Sequence, residues 1–329
     1  MAHDVVCVGE ALVDFLPDKP GRLVREVKRW LPCLGGAPAN VAVGVARLGG
    51  SSALVGVTGH DEFGYFLKDG LAAEGVDVSC LRQTDEGKTG LGFVSLTRTG
   101  ERSFSFYRTR AAETFLSRAD TGGAAEVLAQ AKVVHFGTNS LVQPTAREAV
   151  LEALRKARDA GRITTCDPNL RLHLWPDPSV LRALLDALVP GCAVLKLSDE
   201  ECGFVTDCSD VEGALAALEA RGVLLPVVTL GAKGAALRFK GRTAFVPAPQ
   251  ARVVDTTGAG DGFSTGLLWG LSRLYASREA LEGADLATLE ALARFGCVVG
   301  SFVVRRLGAV AGLPRRREVV KELPAFLRS

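Results

Sequence analysis

Six short apolar runs punctuate the chain: "VVCVG" (5–9), "SALVGV" (52–57), "VVHFG" (133–137), "ITTCD" (163–167), "AVLKL" (193–197) and "VVTLG" (227–231). Each is too short for a buried helix, and β-branched residues recur in them, so they read as strands. Amphipathic helical patterns separate them at 38–48, 61–74, 145–160, 179–189, 210–221, 261–275 and 285–303. Strands apolar on both faces need cover on both faces. Helices above and below a parallel sheet supply it. The expected fold class is therefore α/β, a mostly parallel sheet sandwiched by helices.

One stretch interrupts the alternation. "TGLGFVSLTRTGERSFSFYR" (89–108) reads as two strands around the turn "RTGE". With 11–16 and roughly 23–32 it predicts a small β-sheet lid, resting on a substrate mouth or a second subunit, or else facing solvent. The expected organisation is one domain, 1–329, with lid segments at about 11–33 and 88–118 inserted in it.

Net charge is +2, which points to neither nucleic acid nor an acidic membrane, and Arg315–Arg317 reads as a solvated surface cluster. No uninterrupted apolar run approaches the ~18 residues of a membrane span. The eight cysteines contain no C-x-x-C pair, which suits reduced thiols better than zinc or disulfides. No basic region precedes the first apolar run. A cytoplasmic protein is expected.

Ligands of an open α/β sheet bind beyond the carboxyl ends of its strands, and the chemistry-bearing residues fall there. From "VVDTTGAGDGFSTGLLWGL" (253–271) onward, Phe263, Leu267, Leu271 and Leu274 recur at helical spacing behind Gly258, Ala259 and Gly260. Bare residues at a helix start leave amide N–H groups free for an anion, where the dipole adds about half a positive charge. Asp261 beside an anion makes sense as a base, ionised at neutral pH if its pKa is an ordinary value near 4. Dipole complementarity alone is the plainer alternative. "GGAPANVAVGVARLGG" (35–50) sets Gly35 and Gly36 before a helix entry, with Asn40 able to donate and accept, as a polyol requires. Asp14 can accept from sugar hydroxyls or serve a turn, and Arg171 in "CDPNLRLHLWP" can pair with a phosphate. Ser198 and Glu201 form a capping-box pattern, with a magnesium-water role open for Glu200 or Glu201. "VTLGAKGAALRF" (228–239) is strand, glycine turn, strand, with Gly231 and Gly234 allowing close approach and Lys233 a mobile cation. His135 reads as a core histidine. Neither a Walker A motif nor G-x-G-x-x-G after the first strand is present.

"DTTGAGD" (255–261) together with "GGAPANVAVGVARLGG" resembles the two signatures of the ribokinase/PfkB family of carbohydrate kinases, and the likeness runs from "VGEALVDFLP" to "LGAVAGLP". The resemblance implies a ribokinase-like core of nine-stranded type, a lid that often pairs between subunits to give a homodimer, ATP as donor, Mg²⁺, and activation by K⁺. Asp261 would be the base and 258–260 the anion hole. Sugar contacts are implied at Asp14, Gly35, Gly36 and Asn40, with Tyr107, Arg108, Gly137 and Arg171 at the same mouth. Nucleotide contacts would come from Lys196, Ser198, Thr229, Gly231, Lys233, Gly234, Gly260 and Cys297. Glu201 would hold Mg²⁺ through water, and Asp255, Thr257, Val303, Gly308 and Gly312 would surround K⁺.

Among such kinases the motifs look most like fructokinases, which phosphorylate the 6-hydroxyl of D-fructose. Adenosine kinases and other sugar or nucleoside kinases of the family share the framework. A 2-keto-3-deoxygluconate kinase is the main rival, since Arg108 and Arg171 could meet a substrate carboxylate, although Asp14 would repel one. A non-catalytic sugar or nucleotide binder would have no use for Asp261. Three positions depart from the family: Ser198 stands where many members have Asn, Cys297 where relatives often carry Asn, and Glu113 where Asp is usual.

Overall fold

The computed structural model describes residues 2–19, 21–96 and 102–328; the RTGE turn lies outside the described residues. The strands in chain order are β1 (Val5–Val8), β2 (Leu12–Pro17), β3 (Trp30–Gly35), β4 (Ser52–Gly59), β5 (Val76–Asp77), β6 (Leu81–Thr84) and β7 (Leu91–Leu96). Then follow β8 (Arg102–Tyr107), β9 (Val133–Phe136), β10 (Ile163–Cys166), β11 (Val194–Ser198), β12 (Leu225–Thr229), β13 (Ala235–Phe239) and β14 (Arg242–Val246). The six apolar runs of the sequence become β1, β4, β9, β10, β11 and β12. They lie side by side as β12-β11-β10-β9-β1-β4, parallel throughout.

Alternate residues of β1 show why these runs are apolar without interruption. Val5 and Cys7 join the core on one face, Val6 and Val8 the core on the other, and all four are fully buried. Burying one such side chain contributes about 1.5–3 kcal/mol. At one edge β13 and β14 pair antiparallel, and at the other β5 and β6 both pair with β4, so the large sheet has ten strands rather than nine. His135 lies buried in β9, its Nδ1 2.9 Å from Thr165 Oγ1, as a core histidine would.

Two helices define the late part of the molecule, Ala259–Leu274 and Leu286–Val303. Glycines recur every four residues along the first, and a Cβ at Gly266 would stand 2.9 Å from Gly296 Cα of the second. Missing side chains thus set the helix spacing. Leu286–Val303 is long and apolar enough to cross a membrane by length and composition, but two-thirds of it (67%) is buried, packed into the core.

The small sheet has the order β3-β2-β7-β8. Its third segment differs from expectation: the 23–32 stretch begins with a 3-10 turn, Val24–Glu26, and the strand runs from Trp30 to Gly35. Glu26 accepts from the Leu23 amide at 3.0 Å and closes that turn locally. Register sets Cys33, Asp14, Gly92 and Phe106 in one row across all four strands. Side chains alternate between faces, so Phe15 and Phe93 lie on the opposite face, stacked at 4.8 Å, with Tyr107 edge-on to Phe93 at 5.5 Å.

Candidate active site

Gly258 caps the helix Ala259–Leu274 in the left-handed region (φ 77°), where a Cβ would collide with Ala309. The amide of Ala259 is occupied by the Thr256 carbonyl at 3.2 Å. This corrects the expected trio of donors: among the described residues the amides of Gly258, Gly260 and Asp261 are the ones without an acceptor. Three free N–H groups at a helix N-terminus form an anion-binding turn.

Asp261 follows directly and is 8% exposed. Asn40 Nδ2 donates to its Oδ2 at 2.7 Å, joining the two signature motifs across the sheet edge. Burial raises its pKa to about 6; the Asn40 bond opposes that rise, and Asp167 adds to it. The carboxylate is therefore a stronger base than the ordinary aspartate expected from sequence, yet is still largely ionised at pH 7. Asn40 Oδ1 is buried without a partner among the described residues, an acceptor open to a ligand hydroxyl.

Behind Asp261 lies a buried ion pair. Lys196 Nζ donates to Asp167 Oδ2 at 2.8 Å, and Ser264 Oγ donates to the same oxygen at 3.3 Å. A Cβ on Gly260 would stand 2.9 Å from Lys196 Nζ, so this glycine is bare to let the ammonium reach the anion turn. Burial alone would lower the Lys196 pKa, but the Asp167 and Glu201 carboxylates hold it above its usual value. Sequence places Asp167 just after β10 on the ligand edge but gives it no role; the ion pair with Lys196 supplies one. Arg171 is close enough to help hold the Asp261 pKa down. Its Nη1 donates to the Leu170 carbonyl at 3.0 Å.

Asp14 occupies the inner row of the lid. Gly35 has no side chain because the Asp14 carboxylate fills the place its Cβ would take, and Gly36 (φ +99°) lies hard against the Glu10 carbonyl. Burial pushes the Asp14 pKa up to about 7, and the nearby Asp261 charge pushes in the same direction. Gly137 packs on Pro38, with Glu10 Oε2 beyond.

Two expectations at this mouth need correction. Tyr107 is 66% exposed with its ring against Phe93 on the outer face of the lid, because its register position alternates with that of Phe106. Arg108 is not a free cation. Its Nε donates to Glu113 at 2.7 Å, its Nη2 to the Asn139 carbonyl at 3.3 Å, and its side chain is 8% exposed. Glu113 stands where the family's usual Asp was expected, and it neutralises the arginine that was to meet an acidic substrate.

The nucleotide-side residues are more dispersed. Ser198 begins the helix Asp199–Thr206, and Glu201 accepts from the Ser198 amide at 2.7 Å and the Leu170 amide at 2.5 Å. Glu201 thus clamps the 167–171 loop to this helix and keeps lone pairs for a water. Thr229 Oγ1 donates to the Leu197 carbonyl at 3.2 Å. Gly231 (φ +57°) opens to empty space, and Lys233 beside it is exposed and unpaired among the described residues. Gly234 is buried, and a Cβ there would strike the Val246 carbonyl. It serves the β12–β13 turn and offers no ligand approach. Cys297 is a buried thiol on Leu286–Val303 whose pKa burial raises to about 11.

The segments expected to surround a cation lie side by side. Asp255, 2% exposed, accepts from Thr257 N and Oγ1 at 2.9 and 2.8 Å and from Gly308 N at 2.9 Å. Val303 ends its helix alongside, and Gly312 is bare because its Cβ would strike the Val303 carbonyl. No lysine or arginine pairs with Asp255 among the described residues. A buried carboxylate at the negative end of a helix, lacking a cationic side chain, fits a monovalent cation.

Anion-binding amides beside a basic carboxylate, under a lid carrying a second carboxylate, suit group transfer from an anionic donor to an uncharged polar acceptor. The α/β fold and this edge define a transferase. The chain belongs to the pfkB family of carbohydrate kinases, whose model matches residues 2–316. It is 37% identical over 317 residues to fructokinase-2 of Solanum lycopersicum, covering 96% of this chain and 94% of that protein. The crystal structure of fructokinase with bound ATP from Xylella fastidiosa superposes with a TM-score of 0.87 at 34% identity, covering 97% of each chain. A fructokinase double mutant from Vibrio cholerae O395, in fructose-, ADP- and potassium-bound form, gives 0.85 at 31% identity over 98% of this chain and 99% of that one. The protein is thus an ATP-dependent carbohydrate kinase of ribokinase-like fold.

Proposed function

We propose that the protein transfers the γ-phosphate of ATP to the 6-hydroxyl of D-fructose, giving fructose 6-phosphate and ADP. Asp261 takes the hydroxyl proton as the oxygen attacks phosphorus and the bond to ADP breaks, while the amides of Gly258, Gly260 and Asp261 hold the developing charge. Lys196 supports the same charge from behind Gly260. Asp14 and Asn40 Oδ1 accept from the sugar hydroxyls and orient the acceptor.

The supporting observation is the 2.7 Å bond from Asn40 to Asp261, which sets the base beside a buried acceptor with no partner of its own. Fructokinases among the relatives support the sugar. Pairing of Arg108 with Glu113 weakens the case for an acidic substrate, leaving Arg171 as the one of the two arginines not held by a carboxylate among the described residues.

Glu201 would hold Mg²⁺ through water, an ion that would supply charge neutralisation for the donor phosphates. Asp255, which accepts from Thr257 and Gly308, would hold K⁺ beside the anion turn. The exposed Tyr107, with Phe93 beside it on the outer face of the lid, supports pairing of two copies through that face. Eight free thiols support a reducing, cytoplasmic setting. An ADP-release assay over a sugar panel tests the assignment: turnover is expected with fructose and ATP, and turnover confined to ketodeoxygluconate would overturn it.

A further inference from the structure

Phe106, on the last strand of the lid, stacks on His173 of the body, ring centroids 5.7 Å apart and planes 17° apart. Neither residue belongs to the machinery described above, yet the pair spans the mouth. On the lid side, Phe106 ends the inner row that carries Asp14. A Cβ on Gly92 would lie 2.7 Å from Asp14 Oδ1 and 3.1 Å from Phe106 Cε1, so the carboxylate and the ring edge crowd one point. On the body side, His173 lies in the 3-10 turn Leu172–Leu174, two residues beyond Arg171. Glu201 anchors that loop through the Leu170 amide, and the Lys196–Asp167 pair fixes its start.

We infer that the Phe106–His173 stack is a latch that positions the lid over the acceptor site and thereby sets the affinity for the sugar. Stacked, it joins the strand row holding the acceptor to the loop beside the phosphoryl side. Released, it frees the lid to open. Partial burial and the Arg171 and Arg108 charges hold the His173 pKa below its usual value, so the ring stacks as a neutral arene at pH 7. The binding-competent fraction falls when the latch is removed, and the apparent affinity falls with it.

This inference rests on Asp14 holding the acceptor sugar. The test compares His173→Ala, His173→Phe, Phe106→Ala and the double alanine variant, with fructose or whichever panel sugar the parent phosphorylates. His173→Ala should raise the sugar KM about twofold to tenfold, the range of one ring pair, with kcat and Tm close to the parent's. His173→Phe keeps the stack and should restore KM. The double variant should be no worse than Phe106→Ala alone. An unchanged KM in His173→Ala, equal damage in His173→Phe, or additive losses would each overturn the latch. A parent that ignores fructose overturns the sugar assignment instead, so the two failures are distinguishable.

Discussion

Burial makes Asp261 a better base than a surface aspartate, and the same burial destabilises the fold. With the folded pKa at about 6, above the ordinary 3.8, the penalty is complete above pH 6 and vanishes below about pH 4. Asp261→Asn should therefore lower turnover by ~10²–10⁴ while raising stability at pH 8 by ~1–3 kcal/mol. Urea melts at pH 8 and pH 4 check this, with the gain confined to the higher pH. In the parent, kcat/KM should fall at least about tenfold per unit below pH 6 as Asp261 takes up a proton, with Asp14, held at about 7, titrating just above it. A flat profile to pH 5 would contradict the assignment. The signature motifs gave Asp261, Asn40 and the glycines. Sequence did not reveal that Ala259's amide is used internally, because backbone pairing depends on the turn. Nor did it reveal that Arg108 is neutralised by Glu113, five residues away around the end of β8.

Strands buried on both faces were legible because both faces are mostly apolar, the buried exceptions such as His135, Thr165 and Lys196 being hydrogen-bonded; all six became neighbours in one sheet. The lid was legible as a hairpin but not in its registers, and register decides that Phe106 faces inward and Tyr107 outward. In the helix Ala259–Leu274 the stripe Phe263, Leu267, Leu271 and Leu274 is buried or partly buried as its spacing predicts. The face that sets the helix-to-helix distance is instead glycine, and an absent side chain leaves no apolar signal. Gly266→Val should destabilise the protein by ~3 kcal/mol, since its Cβ meets Gly296 backbone and no flexible side chain can yield. Loss of activity should track loss of fold, read by circular dichroism alongside the kinase assay. A melting temperature within a degree of the parent's would contradict the packing account.

At the scale of the molecule, two sheets meet over one site, so ligand binding should be felt in both. Fructose should slow hydrogen exchange in β7, on the lid, as closure excludes water. Unchanged exchange would argue against closure. Asp255→Asn should abolish stimulation by K⁺ over Na⁺, because it removes the buried charge a monovalent cation would balance. Retained stimulation would move the cation elsewhere. The account as a whole is tested most directly by a crystal structure with fructose and an unreactive ATP analogue. It predicts the terminal phosphate within about 3 Å of the Gly258 and Gly260 amides, and the 6-hydroxyl within about 3 Å of an Asp261 oxygen. A phosphate bound away from that turn, or a hydroxyl out of reach of Asp261, would contradict it.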